Sequence, residues 1–239
     1  MPNFSYDLHI HSCLSPCGDK ENTPYNIAGM AAVAGLDIIA LCDHNTARNC
    51  PALKKAAEEY GVLFIPGLEL TTAEEVHVQC LFPYVENALE FDKLVYKHLI
   101  KVENNPEIFG EQLIFDEFDN CIDKEPYLLI NATDIDFQSA LKLVEEYGGV
   151  AVPAHIDKDA NSLFSNLGFI PLESSFKTVE VKNFKKFEQL KNSFPYLKDC
   201  LVINDSDAHY LEQINSPINK LNLEFLTHNA VIEKLKNKS

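Results

Sequence analysis

The chain is poor in positive charge. Twenty lysines and arginines stand against 36 aspartates and glutamates, the formal charge is −16, and Arg48 is the only arginine. Phosphate backbones are held by clustered Lys and Arg, so this balance argues against a duplex nucleic-acid partner. Several bound divalent cations would offset part of the negative charge. Long apolar runs are also missing: none approaches the roughly 20 residues of a membrane span. The N-terminus lacks the basic and apolar regions of a signal peptide. A cytoplasmic protein with no membrane partner is expected. Seven cysteines cannot all pair, and Cys42, Cys80 and Cys200 lie in apolar runs where a reduced thiol acts as a small hydrophobe. Cys13 and Cys17 share a loop, but a structural zinc clip needs a second half that the chain does not offer.

What is present is an ordinary folded composition. The 239 residues, 46% of them apolar, suffice for one large α/β domain over 1–239. Strand and helix alternate. Tyr6 to His11 reads as the first strand, and Thr23-Pro24 is a helix start that runs to Gly35. A strand follows over 37–42, then a helix from Pro51 to Tyr60 ended by Gly61, and strands over 62–65 and 76–82. These near-continuous apolar runs predict parallel strands covered on both faces, in a barrel or a doubly wound sheet. Residues 84–130 break the rhythm with an amphipathic helix over 87–100 and two short strands about an acidic turn within 112–123. This insertion is expected to be either a lid or a surface excursion. The alternation resumes with a helix capped by Asp134 or Asp136 and strands over 150–153, 178–181 and 201–204.

Histidines mark the ends of these strands. His9 and His11 are two residues apart on the first strand and so point to one side. His44, His77, His155 and His209 also lie at or just beyond short apolar runs. With Glu69 and Asp207 they make eight nitrogen and oxygen donors, a mixture suited to Zn, Mn or Fe. A single catalytic zinc uses about three protein ligands, so this number implies two or three metals. Asp207-Ala208-His209 repeats the spacing of the first pair with a carboxylate, and Glu69 and Asp207 can each bridge two ions. Asp7 and Asp43 read as groups that orient the ligands.

The series Asp7-Leu-His-Ile-His-Ser12, Leu41-Cys-Asp-His-Asn45, Pro66-Gly-Leu-Glu-Leu-Thr71, His77, Pro153-Ala-His155 and Ser206-Asp-Ala-His209 resembles the ordered motifs of the polymerase and histidinol phosphatase (PHP) family of metal-dependent phosphoesterases. The resemblance implies a distorted (β/α)7 barrel with a trinuclear site at the strand ends. It places His9, His11, Glu69 and Asp207 about one ion, with Glu69 bridging to a second held by His77 and His155. His44 and His209 would hold the third. The family adds a histidine or aspartate shortly after the first pair. The loop here reads Cys13-Leu-Ser-Pro-Cys-Gly-Asp19, and Asp19 is taken for that ligand ahead of Cys17.

Such a site hydrolyses phosphoesters with a hydroxide bridging two ions, and Asp207 and His209 are placed with the catalytic groups. Arg48 is expected to fork onto the substrate phosphate, with Lys158 as a weaker candidate. A small phosphomonoester of nucleotide or sugar-phosphate type is the expected substrate. An amidohydrolase-type enzyme would show a bridging lysine on a middle strand, where Glu69 stands instead. A non-catalytic scaffold would have lost ligands.

Overall fold

The computed structural model describes residues 1–237; Lys238 and Ser239, the end of the expected domain, lie outside the described residues. The elements follow in the order β1 (Asn3–Ile10), α1 (Pro24–Ala34), β2 (Ile38–Leu41), α2 (Cys50–Tyr60), β3 (Leu63–Ile65), β4 (Gly67–Thr71) and β5 (His77–Leu81). Next come α3 (Val85–His98), α4 (Pro106–Phe109), β6 (Leu113–Phe115), β7 (Cys121–Lys124), α5 (Phe137–Glu146) and β8 (Val150–Pro153). The chain ends with α6 (Leu163–Asn166), β9 (Thr178–Glu180), α7 (Phe184–Ser193), β10 (Leu201–Ile203), β11 (Lys220–Asn222) and α8 (His228–Lys236). No described helix is long and apolar enough to cross a membrane.

Local chemistry sets the helix ends. The Thr23 side chain accepts from the Asn26 N–H, Pro24 opens α1, and Gly35 at φ 77° sends its N–H back to the Ala31 and Ala32 carbonyls. That left-handed cap is open to glycine at no steric cost. Asp136 rather than Asp134 caps α5, through the Ser139 N–H.

The strands form four sheets among the described residues: β11-β1-β2-β3, β4-β5-β8, β9-β10 and the hairpin β6-β7. β1 with β2, β2 with β3, and β9 with β10 are parallel, as the apolar runs predict. β4 with β5 and β5 with β8 are antiparallel, which corrects that expectation. Burial on both faces carries no information on direction, whereas the short 72–76 link does: a parallel crossover takes a dozen or more residues. β4 is not among the strands expected from the sequence. Gly67 is there for closeness, since a Cβ would lie 2.6 Å from the Cys80 carbonyl oxygen.

Strand alternation splits the apolar residues into two clusters. Ile39 and Leu41 of β2 join Ile10, Leu68, Leu70, Val78 and Cys80 beneath the helices. Ile38 and Ala40 face the other way, among Tyr6, Leu8, Leu81, Val152 and Ile203, with Val231, Ile232 and Leu235 of α8 closing one end. At the other end the same inward row turns polar.

Candidate metal centre

Parity along β1 would put Tyr6, Leu8 and Ile10 on one side and His9 and His11 on the other. Instead Tyr6 and Leu8 lie in the inner cluster and Ile10 in the outer one. The register explains this. Asp7 pairs with Ile39 and Ile10 with Leu41, so one extra residue bulges between them. A bulge re-aims side chains, and this one turns His9 and His11 inward. On β5 the reversed direction brings the first residue, His77, to the end where β1 and β2 finish.

Glu69 is the hub, 1% exposed. Its Oε1 lies 3.0 Å from His77 Nδ1, 3.2 Å from His155 Nε2 and 3.4 Å from His9 Nε2. Its Oε2 lies 3.1 Å from His44 Nδ1 and 3.6 Å from His11 Nε2. Asp207 Oδ1 is 3.3 Å from His11 Nε2, 3.6 Å from His9 Nε2 and 3.8 Å from His209 Nδ1. The structure thus gathers all eight of the histidines and acids read as donors. Three groupings have ligand atoms within 4.8 Å of one another: His9, His11 and Glu69; His11, His44 and His209; His44, Glu69 and His77.

Carboxylates behind the imidazoles orient them. Ser15 Oγ donates to Asp43 (2.7 Å), so it accepts from His11 Nδ1 (3.0 Å) and from the His44 backbone N–H. His9 Nδ1 donates to Glu180 Oε2 (3.0 Å). Both rings thus turn Nε2 towards the centre, and those two atoms stand 3.1 Å apart. Two lone pairs at that distance repel unless a cation or proton lies against them. His44 Nδ1 is buried 3.1 Å from Glu69 Oε2, without the angle of a hydrogen bond to it. This donor set fits divalent ions.

Burial opposes charge throughout, and the partners decide the outcome. Burial pushes the Glu69 carboxyl up, but His77 and His9 hold it well below the usual range. For His9, Glu180 and Glu69 overcome burial and raise it. Burial keeps His11 and His77 low. His155 at φ 30° and Asp207 at φ 56° sit in the left-handed region, a conformation that costs a side-chain-bearing residue about 1–3 kcal/mol and clusters at functional sites. The His155 N–H is held by Glu180. Asp7 accepts from the Ser206 and Asn215 N–H groups and so places the Asp207 loop.

Two placements depart from the sequence reading. Asp19 does not line the cavity, and its carboxylate accepts the Glu21 N–H; Cys17 lines the cavity with His44 and His209 instead. Desolvation pushes the Cys17 thiol up, and His44 and His209 more than reverse this, to about 6. Arg48 does not line the cavity. It pairs with buried Glu125, whose other oxygen accepts from Tyr96, and so ties the loop before α2 to the insertion. Glu180 went unread, although an acid inside the apolar run Thr178-Val-Glu-Val181 was a usable signal. Cys13 and Cys17 are both free thiols. The insertion docks on the β1 and β2 loops through Leu113 N–H to Cys13 and Asn49 to Leu113. It brings nearby Ile130 onto the cavity, about 250 Å³ in volume, where Lys158 pairs with Asp207.

The model of the PHP domain family matches residues 7–161. Over 67 residues, 28% of this chain and 23% of that protein, the sequence is 37% identical to a 5′-3′ exoribonuclease of Haemophilus influenzae. The curated relatives are spanned only to 44% and 23% of their lengths. Among solved structures, a lesion-specific endonuclease Q from Pyrococcus furiosus is 18% identical with a TM-score of 0.67, covering 98% of this chain and 56% of that one. Endonuclease Q is also known in complex with a 27-mer duplex substrate carrying an abasic lesion at the active site, with a TM-score of 0.66 at 18% identity, over 98% of this chain and 57% of that one. A protein of Bifidobacterium adolescentis assigned as a metal-dependent phosphoesterase matches at 0.60 with 18% identity, over 98% of this chain and 96% of that one. These likenesses show the fold. They also correct the exclusion of duplex nucleic acid drawn from net charge, because a protein of this fold holds a duplex at its active site.

Proposed function

On the premise that this chain belongs to the PHP domain family, we propose that it is a metal-dependent phosphoesterase whose substrate is a phosphoester of a nucleic-acid strand. The observation that carries the chemistry is the convergence of His9 and His11 Nε2, 3.1 Å apart, with the Glu69 and Asp207 carboxylates. The substrate class follows the nucleases among the relatives; a small phosphomonoester would use the same cavity. The reading includes one domain over 1–239 with 84–130 inserted. It also takes the strands as a distorted (β/α)7 barrel, supported by the parallel bridges Ile10 to Ala208 and His44 to Glu69.

About two to three divalent ions of Zn, Mn or Fe type are assigned to the site. His9, His11, Glu69 and Asp207 would hold one; Glu69, His77 and His155 a second; His44 and His209 with Cys17 a third. When bound, such ions polarise phosphoryl oxygens and lower the pKa of water towards about 7. The chain's own groups do the rest. Glu180 and Ser15 hold the Nδ1 sides of His9 and His11 and so aim Nε2 at the centre. Asp207 anchors Lys158 at the cavity wall, where its ammonium can donate to a phosphoryl oxygen. Ile130 narrows the opening against water. None of the seven cysteines is in a disulfide, which fits a reducing compartment such as the cytoplasm.

The test is a hydrolysis screen of Mn- and Zn-reconstituted protein on single-stranded, duplex and lesion-bearing oligonucleotides, nucleotides and bis(p-nitrophenyl) phosphate. Cleavage lost on chelation supports the proposal. No hydrolysis of any phosphoester by metal-loaded protein would end it.

A further inference from the structure

The loop that carries His44 is held, residue by residue, by one segment of the chain. Asn45 sends its side-chain N–H groups to the Leu129 and Asn131 carbonyls, at 2.7 and 2.8 Å. The Thr46 hydroxyl and the Ala47 N–H both donate to Oδ1 of Asp92 on α3, at 2.7 and 2.8 Å. Arg48 pairs with Glu125, and Asn49 donates to the Leu113 carbonyl and accepts the Phe115 N–H. All of these partners lie within 84–131, the insertion and the residue after it. Asn45, Thr46, Ala47, Asn49 and Asp92 are buried, so these bonds are made away from water, where an unpaired group is costly.

The Cys17 loop rests on the same segment. The Leu113 N–H donates to the Cys13 carbonyl at 2.9 Å, and Leu14 packs with Leu99, Ile114 and Leu129 in a small apolar cluster separate from the two main ones. A Cβ on Gly110 would lie 2.7 Å from the Pro16 carbonyl oxygen, so the two backbones touch next to Cys17. Of the three ions proposed above, the third alone takes ligands, His44 and Cys17, from these two loops.

We infer that the insertion is the support of the third ion, and that Asp92 is a positioning residue for it, acting on His44 through Thr46 and Ala47. The inference rests on the metal-centre reading for the ion itself. Docking of the insertion and occupancy of the third site are then one coupling: an ion that binds His44 and Cys17 better when the insertion is docked favours the docked state by the same factor. The segment serves as a fixed wall of the metal cavity, with Ile130 on its inner side.

The experiment loads wild type, Asp92→Ala and Asp92→Asn with Co(II), and follows the thiolate-to-metal band of Cys17 together with the affinity of each ion by chelator competition. Both bonds from the loop end on one oxygen of Asp92, so asparagine can keep them and alanine cannot. Asp92→Ala should bind the third ion about tenfold more weakly, the low end for groups that orient ligands, and keep the other two ions. Asp92→Asn should bind all three as wild type does. A merely structural Asp92 would lower the urea midpoint of Asp92→Ala and leave the third ion's affinity unchanged, which would overturn the inference. Hydrogen exchange of wild type serves if Asp92→Ala does not fold: occupancy of the third site should slow exchange of the Ala47 and Phe115 amides, and exchange indifferent to that ion would also overturn it. Two bound ions with no thiolate band in wild type would overturn the inference and leave the phosphoesterase reading standing. Wild type that binds no Co(II) would end both.

Discussion

His44 and Glu69 meet twice. Their backbones form a parallel bridge, with Asn45 N–H on the Glu69 carbonyl (2.9 Å) and Glu69 N–H on the Asp43 carbonyl (3.0 Å), and their side chains lie 3.1 Å apart. The carboxylate is thus fixed by main chain, and its two oxygens divide five imidazoles between them. Glu69→Gln should keep the fold and lose at least one ion. With several kcal/mol of charge stabilisation removed, turnover should fall by about 10²-fold or more. Elemental analysis alongside initial rates checks this; full metal content with unchanged rate would refute the hub role.

Glu180→Gln should weaken metal binding about 10–100-fold without removing a ligand, the effect typical of groups that orient ligating histidines. Competition with a chromogenic chelator measures it. An unchanged affinity would mean that His9 holds its orientation without Glu180.

Much of this cluster was legible in the sequence because its side chains are His, Glu and Asp at strand ends, where little else explains them. Helix caps such as Thr23 and Gly35 were equally plain, being local chemistry. The reversal of β5 was not, since apolar runs have no direction. The bulge in β1 was hidden for a related reason: a one-residue register shift leaves no mark on the pattern. Arg48 misled because composition made it conspicuous, while its partner Glu125 lies 77 residues away and only folding brings them together.

Arg48→Ala should therefore lower stability by about 1–3 kcal/mol, the cost of leaving a buried acceptor short of its partner, and leave KM unchanged. Urea titration and steady-state kinetics separate the two. A large rise in KM with unchanged stability would restore Arg48 to the substrate.

Cys17→Ser should reduce bound metal by about one ion, and Asp19→Ala should leave it intact. Substitution with Co(II) offers a second readout, a thiolate-to-metal charge-transfer band in wild type that is absent from Cys17→Ser. Loss of metal in Asp19→Ala alone would reverse the assignment.

Metal uptake should release protons. Burial lowers His44, but Cys17 and Glu69 raise it to about 10, so at pH 7 the metal-free ring holds a proton that an ion must displace. Affinity therefore falls as pH falls. Calorimetry in buffers of differing ionisation enthalpy reads the number of protons; a buffer-independent enthalpy at pH 7 would contradict this.

The central claim is that these side chains form a multinuclear metal centre, and the most direct test is the metal content of purified protein after reconstitution and gel filtration. About two to three divalent ions per chain are expected, falling in His9→Ala and His11→Ala while circular dichroism is retained. A folded wild-type protein that keeps no stoichiometric metal would contradict the account.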